Sequence, residues 1–238
     1  MTPLEDMLAL AAAGAPEEVC GLMVARGKKC RLLPAKNLAD NPRVDFVLDP
    51  ACWLEVLEGD EVVGIYHSHP VTNAQPSMHD LVMCERTALP WHIVNPSTQE
   101  HVIVNPSGYL APYVRRPYVH GVLDCYSVCR DWYEREWSLA LPDVNRDPEW
   151  WLKGQNLYLD HFAGAGFVRL APGTPHQVGD GLLIQEGSPV PNHAAVYLGD
   201  GAILHHVRGR LSCIEAYTSS RQRQTTHHLR HQSRIANA

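Results

Sequence analysis

The sequence predicts an α+β protein of two domains, and three observations carry that prediction. Short β-branched and apolar runs alternate with longer helical patterns along the chain. The pattern breaks once, in the Asn-, Pro- and Gly-punctuated stretch from Asn105 to Pro117. Each side of that break holds its own set of chemically capable side chains. The 238 residues suit two small domains, and a hydrophobic fraction of 45% allows each a buried core.

The elements follow in order. Pro3 stands near the start of a helix over 3–12. Val19 to Val24 is an apolar run that predicts a buried strand. Asp49-Pro50 opens a helical pattern that Gly59 ends. Val62 to Tyr66 predicts a strand whose C-terminal end delivers the sequence HSHP. Ser77 caps a helix from Met78 to about Thr87, and two strands follow at Trp91–Val94 and His101–Val104. After the break, Cys125 to Leu139 reads as a helix stopped by Pro142. Gly179-Asp180 leads into a strand at Leu182–Ile184. Strands at His193–Leu198 and Ala202–Val207 are joined by Gly199-Asp200-Gly201, a hairpin signal. The boundaries that result are 1–108 and 109–218, with a polar, basic and solvated tail over 219–238.

Bulk properties narrow the function. A formal charge of −6 gives no reason to expect a nucleic-acid partner or an anionic membrane surface. Glu5 and Asp6 occupy the place where a signal peptide carries Lys or Arg, and no apolar run reaches membrane-spanning length. The seven cysteines show no disulfide spacing, so each reads as a small buried apolar residue unless its neighbours argue otherwise.

In the first half, His67 and His69 are two apart and share a face if the strand extends through them. Ser77 and Asp80 sit one helical turn apart on the helix that follows. Two imidazoles and a carboxylate leave the fourth tetrahedral position open, as a catalytic rather than a structural zinc site does. Glu18 is the candidate general base and Ser77 the candidate oxyanion donor. His79 reads as a helix-surface residue, and Glu17 as facing the other way on its strand. The segments Glu18-Val19-Cys20-Gly21, His67-Ser68-His69-Pro70 and Ser77-Met78-His79-Asp80 resemble the JAMM, or MPN-plus, metallopeptidases over roughly residues 1–105. That resemblance implies an α-β-α sandwich around a mixed sheet. It also implies Zn2+ held by His67, His69 and Asp80, water activation by Glu18, and hydrolysis of amide or isopeptide bonds.

In the second half, Cys125 opens a helix, where the positive end of the dipole favours thiolate; Cys129, one turn deeper, reads as core. A thiolate needs a histidine and a third group to orient it, and the hairpin lets His205 reach the ring of His193. Asp124-Cys125, Gly179-Asp180, His193 and His205 resemble the NlpC-type cysteine peptidases, a papain-like α+β fold, over roughly residues 112–218. The resemblance implies cleavage of peptidoglycan stem peptides, with Tyr118 lining the site.

The order of the two halves, and the segments DCYSVCRDWY, NHAAVYLGD and ILHHVRGRLS, resemble the tail assembly protein K family of lambda-like phages. The family implies a tail-tip component or assembly factor with other tail-tip proteins as partners. It would be located in the virion tail tip, or in the host cytoplasm during assembly, and would act at the host cell wall. Two further readings stay open: a structural tail-tip protein with little-used sites, and an acyl transferase, since a Cys–His pair forms a thioester whatever the acceptor.

Overall fold

The computed structural model describes residues 2–235 and divides the chain into two units, Met1–Leu110 and Ala111–Ala238. The first unit begins with helix α1 (Pro3–Gly14), whose Thr2 and Glu5 side chains each bond the other's backbone N–H in a capping box. Strands β1 (Cys20–Arg26), β2 (Lys29–Ala35) and β3 (Glu61–Ser68) follow, then helix α2 (Met78–Thr87) and strands β4 (Trp91–Val94) and β5 (His101–Val104). They form one mixed sheet in the order β2-β1-β3-β4-β5, with β3 and β4 parallel and every other pair antiparallel.

One sheet face packs Met23, Tyr66 and Val94 against Met7 and Ala11 of α1. The other packs Cys20, Leu22, Ile65 and Trp91 against Cys84 of α2 and against Phe46 and Cys52. The strands tolerate no side chain at Gly21: a Cβ there would lie 2.4 Å from the Leu33 carbonyl oxygen and 2.7 Å from Tyr66 Oη. The helical pattern after Asp49 is realised as a single 3-10 stretch, Pro50–Glu55. Strand β2 carries no sequence signal of its own, because it is an edge strand with Lys29 and Arg31 exposed and with Pro34 inside it.

The second unit holds helices α3 (Cys125–Trp137) and α4 (Leu157–His161) and strands β6 (Phe167–Arg169), β7 (Gly181–Ile184), β8 (His193–Gly199), β9 (Ala202–His205) and β10 (Cys213–Ala216). Helix α5 (Ser219–Gln224) and strand β11 (Thr225–His231) complete it. The sheet is antiparallel in the order β10-β9-β8-β7-β11-β6. Val128, Trp132 and Tyr133 of α3 pack on Ala194, Val196, Leu204 and Leu229.

The expectation of a solvated tail from 219 onward is corrected here. Residues 225–231 form an interior strand, with Leu229, Arg230 and His231 buried; residues 236–238 lie outside the described residues. The misreading has a physical cause: the strand TTHHLRH carries one large aliphatic side chain, and its charge is neutralised by a partner far away in sequence. Asp180 accepts bonds from Arg230 Nε at 2.7 Å and Nη2 at 2.9 Å, and its Oδ2 lies 2.5 Å from His228 Nε2. The Gly-Asp pair is therefore an anchor for β11. Gly179 itself has φ +83°, and a Cβ there would come within 1.9 Å of the Trp137 ring.

Candidate active sites

The first site forms where β3 ends and α2 begins, outside the carboxyl ends of the parallel pair β3–β4. Open sheets with parallel strands commonly hold ligands in that place. His67 shares a face with Ile65, and its ring stacks on Phe46 at 4.5 Å. Cys20 pairs with His67, so extending the antiparallel register by two residues places Glu18 opposite His69. Ser68 pins that extension: its backbone N–H donates to the Val19 carbonyl at 3.0 Å, and its Oγ accepts from the Val19 N–H at 3.0 Å.

Asp80 is fixed from its own helix. Ser77 Oγ accepts from the Asp80 N–H at 3.1 Å, while Asp80 Oδ2 accepts from the Ser77 N–H at 2.7 Å. Ser77 is thus the N-cap that aims Asp80, as well as a hydroxyl beside the site. His69 Nδ1 lies 3.0 Å from the Asn73 carbonyl, which directs the Nε2 lone pair inward. Asn95 holds the same loop by donating to the His69 carbonyl at 2.9 Å.

Three donor atoms converge in consequence. His67 Nε2 and His69 Nε2 are 3.0 Å apart, and they lie 3.3 and 3.5 Å from the two Asp80 oxygens. Tetrahedral zinc with bonds of roughly 2.0–2.2 Å sets donor spacings of about 3.3–3.5 Å. All three residues are buried, and the donor types and the two imidazole–carboxylate spacings fit such an ion, while the two imidazole nitrogens stand closer together than it would hold them. Burial works against charge on Asp80, but the two imidazoles and Ser77 override it and hold the carboxyl well below its usual range. Burial pushes the Glu18 carboxyl up to about 8; His69 opposes that shift and Asp80 adds to it. His79, on α2, points away to Asp45 at 3.3 Å, and Glu17 is exposed.

The second site lies where α3 meets the start of β8. Asp124 caps α3 by accepting from the Ser127 N–H at 2.8 Å. Buried Arg146 donates to Asp124 at 2.9 Å; burial pushes the Asp124 carboxyl up, but Arg146 and Ser127 override it and hold the carboxyl below its usual range. Cys125 is 7% exposed. Its sulfur faces the backbone N–H of Ala194, next to His193, and sits 3.3 Å from Tyr158 Oη. His193 Nε2 lies 3.0 Å from His205 Nδ1 across the hairpin. Tyr118 is close enough for Cys125 and Asp124 to push its phenol upward, after burial, and its ring meets His206 edge-on at 5.1 Å. Cys129 is buried in the core.

One expectation is corrected at this site: the Cys125 thiol is not favoured as thiolate by its helix. Burial and the Asp124 carboxylate push it up to about 11. Burial, with His205 and His206 nearby, pushes His193 down to about 3, so the pair rests as neutral thiol and neutral imidazole.

Sequence reasoning missed Tyr158, Arg146, Ser68, Phe46 and Asn95. Ser68, between the two histidines of HSHP, had the one visible signal; Phe46, Asn95 and Arg146 come from loops, and Tyr158 from the five-residue helix α4, whose placement no local pattern fixes.

Residues 3–105 match the family model described as prokaryotic homologs of the JAB domain, and residues 115–230 match the NlpC/P60 family. Tail tip assembly protein K of Escherichia phage lambda is 38% identical over 191 residues, which cover 80% of this chain and 92% of that protein. The protein of the same name from Escherichia phage N15 is 34% identical over 211 residues, covering 88% and 86%. A desampylase of Haloferax volcanii is 32% identical over 111 residues, covering 43% and 73%. One JAB/MPN-like domain followed by one NlpC/P60-like domain, matched nearly end to end by two phage proteins, place this chain in the tail tip assembly protein K family.

Proposed function

We propose that this chain is a phage tail-tip protein with two peptidase sites. In this reading the Cys125 site cuts peptidoglycan stem peptides at the host wall, and the His67–His69–Asp80 site hydrolyses an amide or isopeptide bond during assembly. The observation that supports this reading most is the convergence of buried His67, His69 and Asp80 in one unit, beside a second unit in which His193 meets His205 and the Cys125 sulfur faces the Ala194 N–H. The family match to NlpC/P60 supports the wall substrate, and the likeness to a desampylase supports peptide-bond chemistry at the first site.

At the second site the thiol proton passes to His193 Nδ1, the ring nitrogen that His205 leaves free. The sulfur attacks the scissile carbonyl, the departing amine takes the proton back, and water hydrolyses the thioester. The Ala194 N–H stands beside the sulfur, where negative charge collects. At the first site, His67, His69 and Asp80 would hold zinc, which when bound acts as a Lewis acid and makes water acidic. Glu18 takes and returns the proton, and Ser77 keeps Asp80 aimed while its hydroxyl hydrogen faces the developing oxyanion.

A second reading, a structural tail-tip factor with little-used sites, draws on Tyr158 and the near-complete burial of Cys125. Purified protein acting on isolated peptidoglycan separates the two. Muropeptides should be released by the native chain and by His67→Ala, and lost in Cys125→Ala. Equal release from the Cys125 variant rejects the peptidase assignment. Elemental analysis should find about one zinc per native chain and none in His69→Ala.

A further inference from the structure

We propose that Glu215 is a positioning residue of the cysteine site: it sets the proton order of the relay that runs from His205 through His193 to Cys125. This rests on the peptidase reading of that site.

The sheet puts Glu215, His205 and His193 on one face. Cys213 pairs directly with His205, so the two side chains share a side, and Glu215 follows two residues later on that side. Ala195 also pairs with His205, which places His193, two residues earlier on β8, on the same face. Across this face, His193 Nε2 lies 3.0 Å from His205 Nδ1, and His205 Nε2 lies 3.2 Å from Glu215 Oε1. His205 is fully buried, and its Nε2 makes no aligned hydrogen bond among the described residues; the Glu215 carboxylate is the acceptor that stands within reach of it.

A neutral imidazole carries one proton and one lone pair. A carboxylate cannot donate, so Glu215 favours the His205 tautomer with hydrogen on Nε2. Nδ1 of His205 is then an acceptor and takes the Nε2–H of His193. That leaves the lone pair of His193 on Nδ1, free to receive the thiol proton. With Glu215 removed, His205 can carry its hydrogen on Nδ1 instead. It would then donate to His193 Nε2 and force the His193 proton onto Nδ1, where the ring cannot act as a base. Two cations share the surroundings: Arg221 Nε is 3.2 Å from the same Glu215 oxygen, and Arg210 acts on His205 from the β9–β10 turn. Cys213 Sγ also faces the group. Arg221 keeps a second carboxylate partner in Glu186, so losing Glu215 does not leave it unpaired.

The test has two arms. In the first, kcat and KM on a peptidoglycan stem peptide are measured for native protein, Glu215→Gln and Glu215→Ala. Fixing the wrong tautomer in a serine protease triad costs about 10⁴ in kcat; here the carboxylate is partly exposed and shared, so a loss of about 10–100-fold in kcat is expected for Ala. Gln, which can still accept from Nε2–H, should lose less, and KM should hardly move. In the second arm, nitrogen-15 spectra of the histidine rings are recorded at neutral pH in a Cys125→Ala background, which needs no activity. His205 should be protonated at Nε2 in the otherwise native chain, and should shift toward Nδ1–H with Glu215→Ala. An unchanged tautomer in the Ala variant, or native His205 already protonated at Nδ1, overturns the proposal. Failure of the peptidase reading shows separately, as absent turnover by native protein while the tautomer result stands.

Discussion

At Cys125 two electrostatic effects oppose each other. A helix N-terminus stabilises an adjacent anion by about 0.3–1 kcal/mol, and by about 2 kcal/mol in partly buried sites. Full burial and the neighbouring Asp124 carboxylate act the other way and win, pushing the thiol up to about 11. With His193 held near 3, no ion pair forms at neutral pH. The thiolate fraction is then about 10⁻⁴ at pH 7 and grows about tenfold per pH unit until roughly pH 11. Alkylation of Cys125 by iodoacetamide, followed by mass spectrometry, should rise with that slope. A rate that is flat between pH 5 and 8 would instead reveal a thiolate–imidazolium pair. Substrate that displaces Tyr158 from the sulfur should accelerate chemistry through His193 without changing this resting profile.

Among the elements, the residues that carry chemistry were the more legible ones. HSHP, Ser77 to Asp80 and Asp124-Cys125 lie at element ends, where cap residues and strand alternation leave local marks. Helix α2 begins at Met78 as Ser77 predicts. Strands β6, β10 and β11 were not legible, because each is short or takes its place from long-range pairing, and β2 was not because it is a charged edge strand with a proline inside it. Strand β11 is the clearest case: Arg230 and His228 look solvated until Asp180, about fifty residues away, is brought to them. Asp180→Ala leaves the Arg230 guanidinium buried without its carboxylate. That should cost about 3 kcal/mol and lower the melting temperature of the second unit by roughly 10 °C, read by calorimetry. Ending the chain at Thr218 removes an interior strand, and the second unit should then lose its cooperative transition altogether while the first keeps its own.

Across the whole molecule, two candidate sites of different chemistry sit in separate units. They should answer to different reagents. A chelator should strip the first site and lower only the first unit's transition, since an ion present at a hundred times its Kd stabilises by about 2.7 kcal/mol. Muropeptide release should be untouched by that treatment. Alkylation of Cys125 should abolish release and leave the zinc content unchanged. A chelator that melts both units would mean that the ion supports the fold of the whole chain rather than one site.

The place of β11 also bears on how the protein is made. Its neighbours β7 and β6 are synthesised well before it, so until β11 is made the sheet has a gap that only this strand can fill. Until then the nascent chain presents β7 as an open edge, the feature through which unfinished chains pair with one another. Crowded polysomes are thus where misassembly threatens this protein most, and the sheet of the second unit is completed only when β11 has been made.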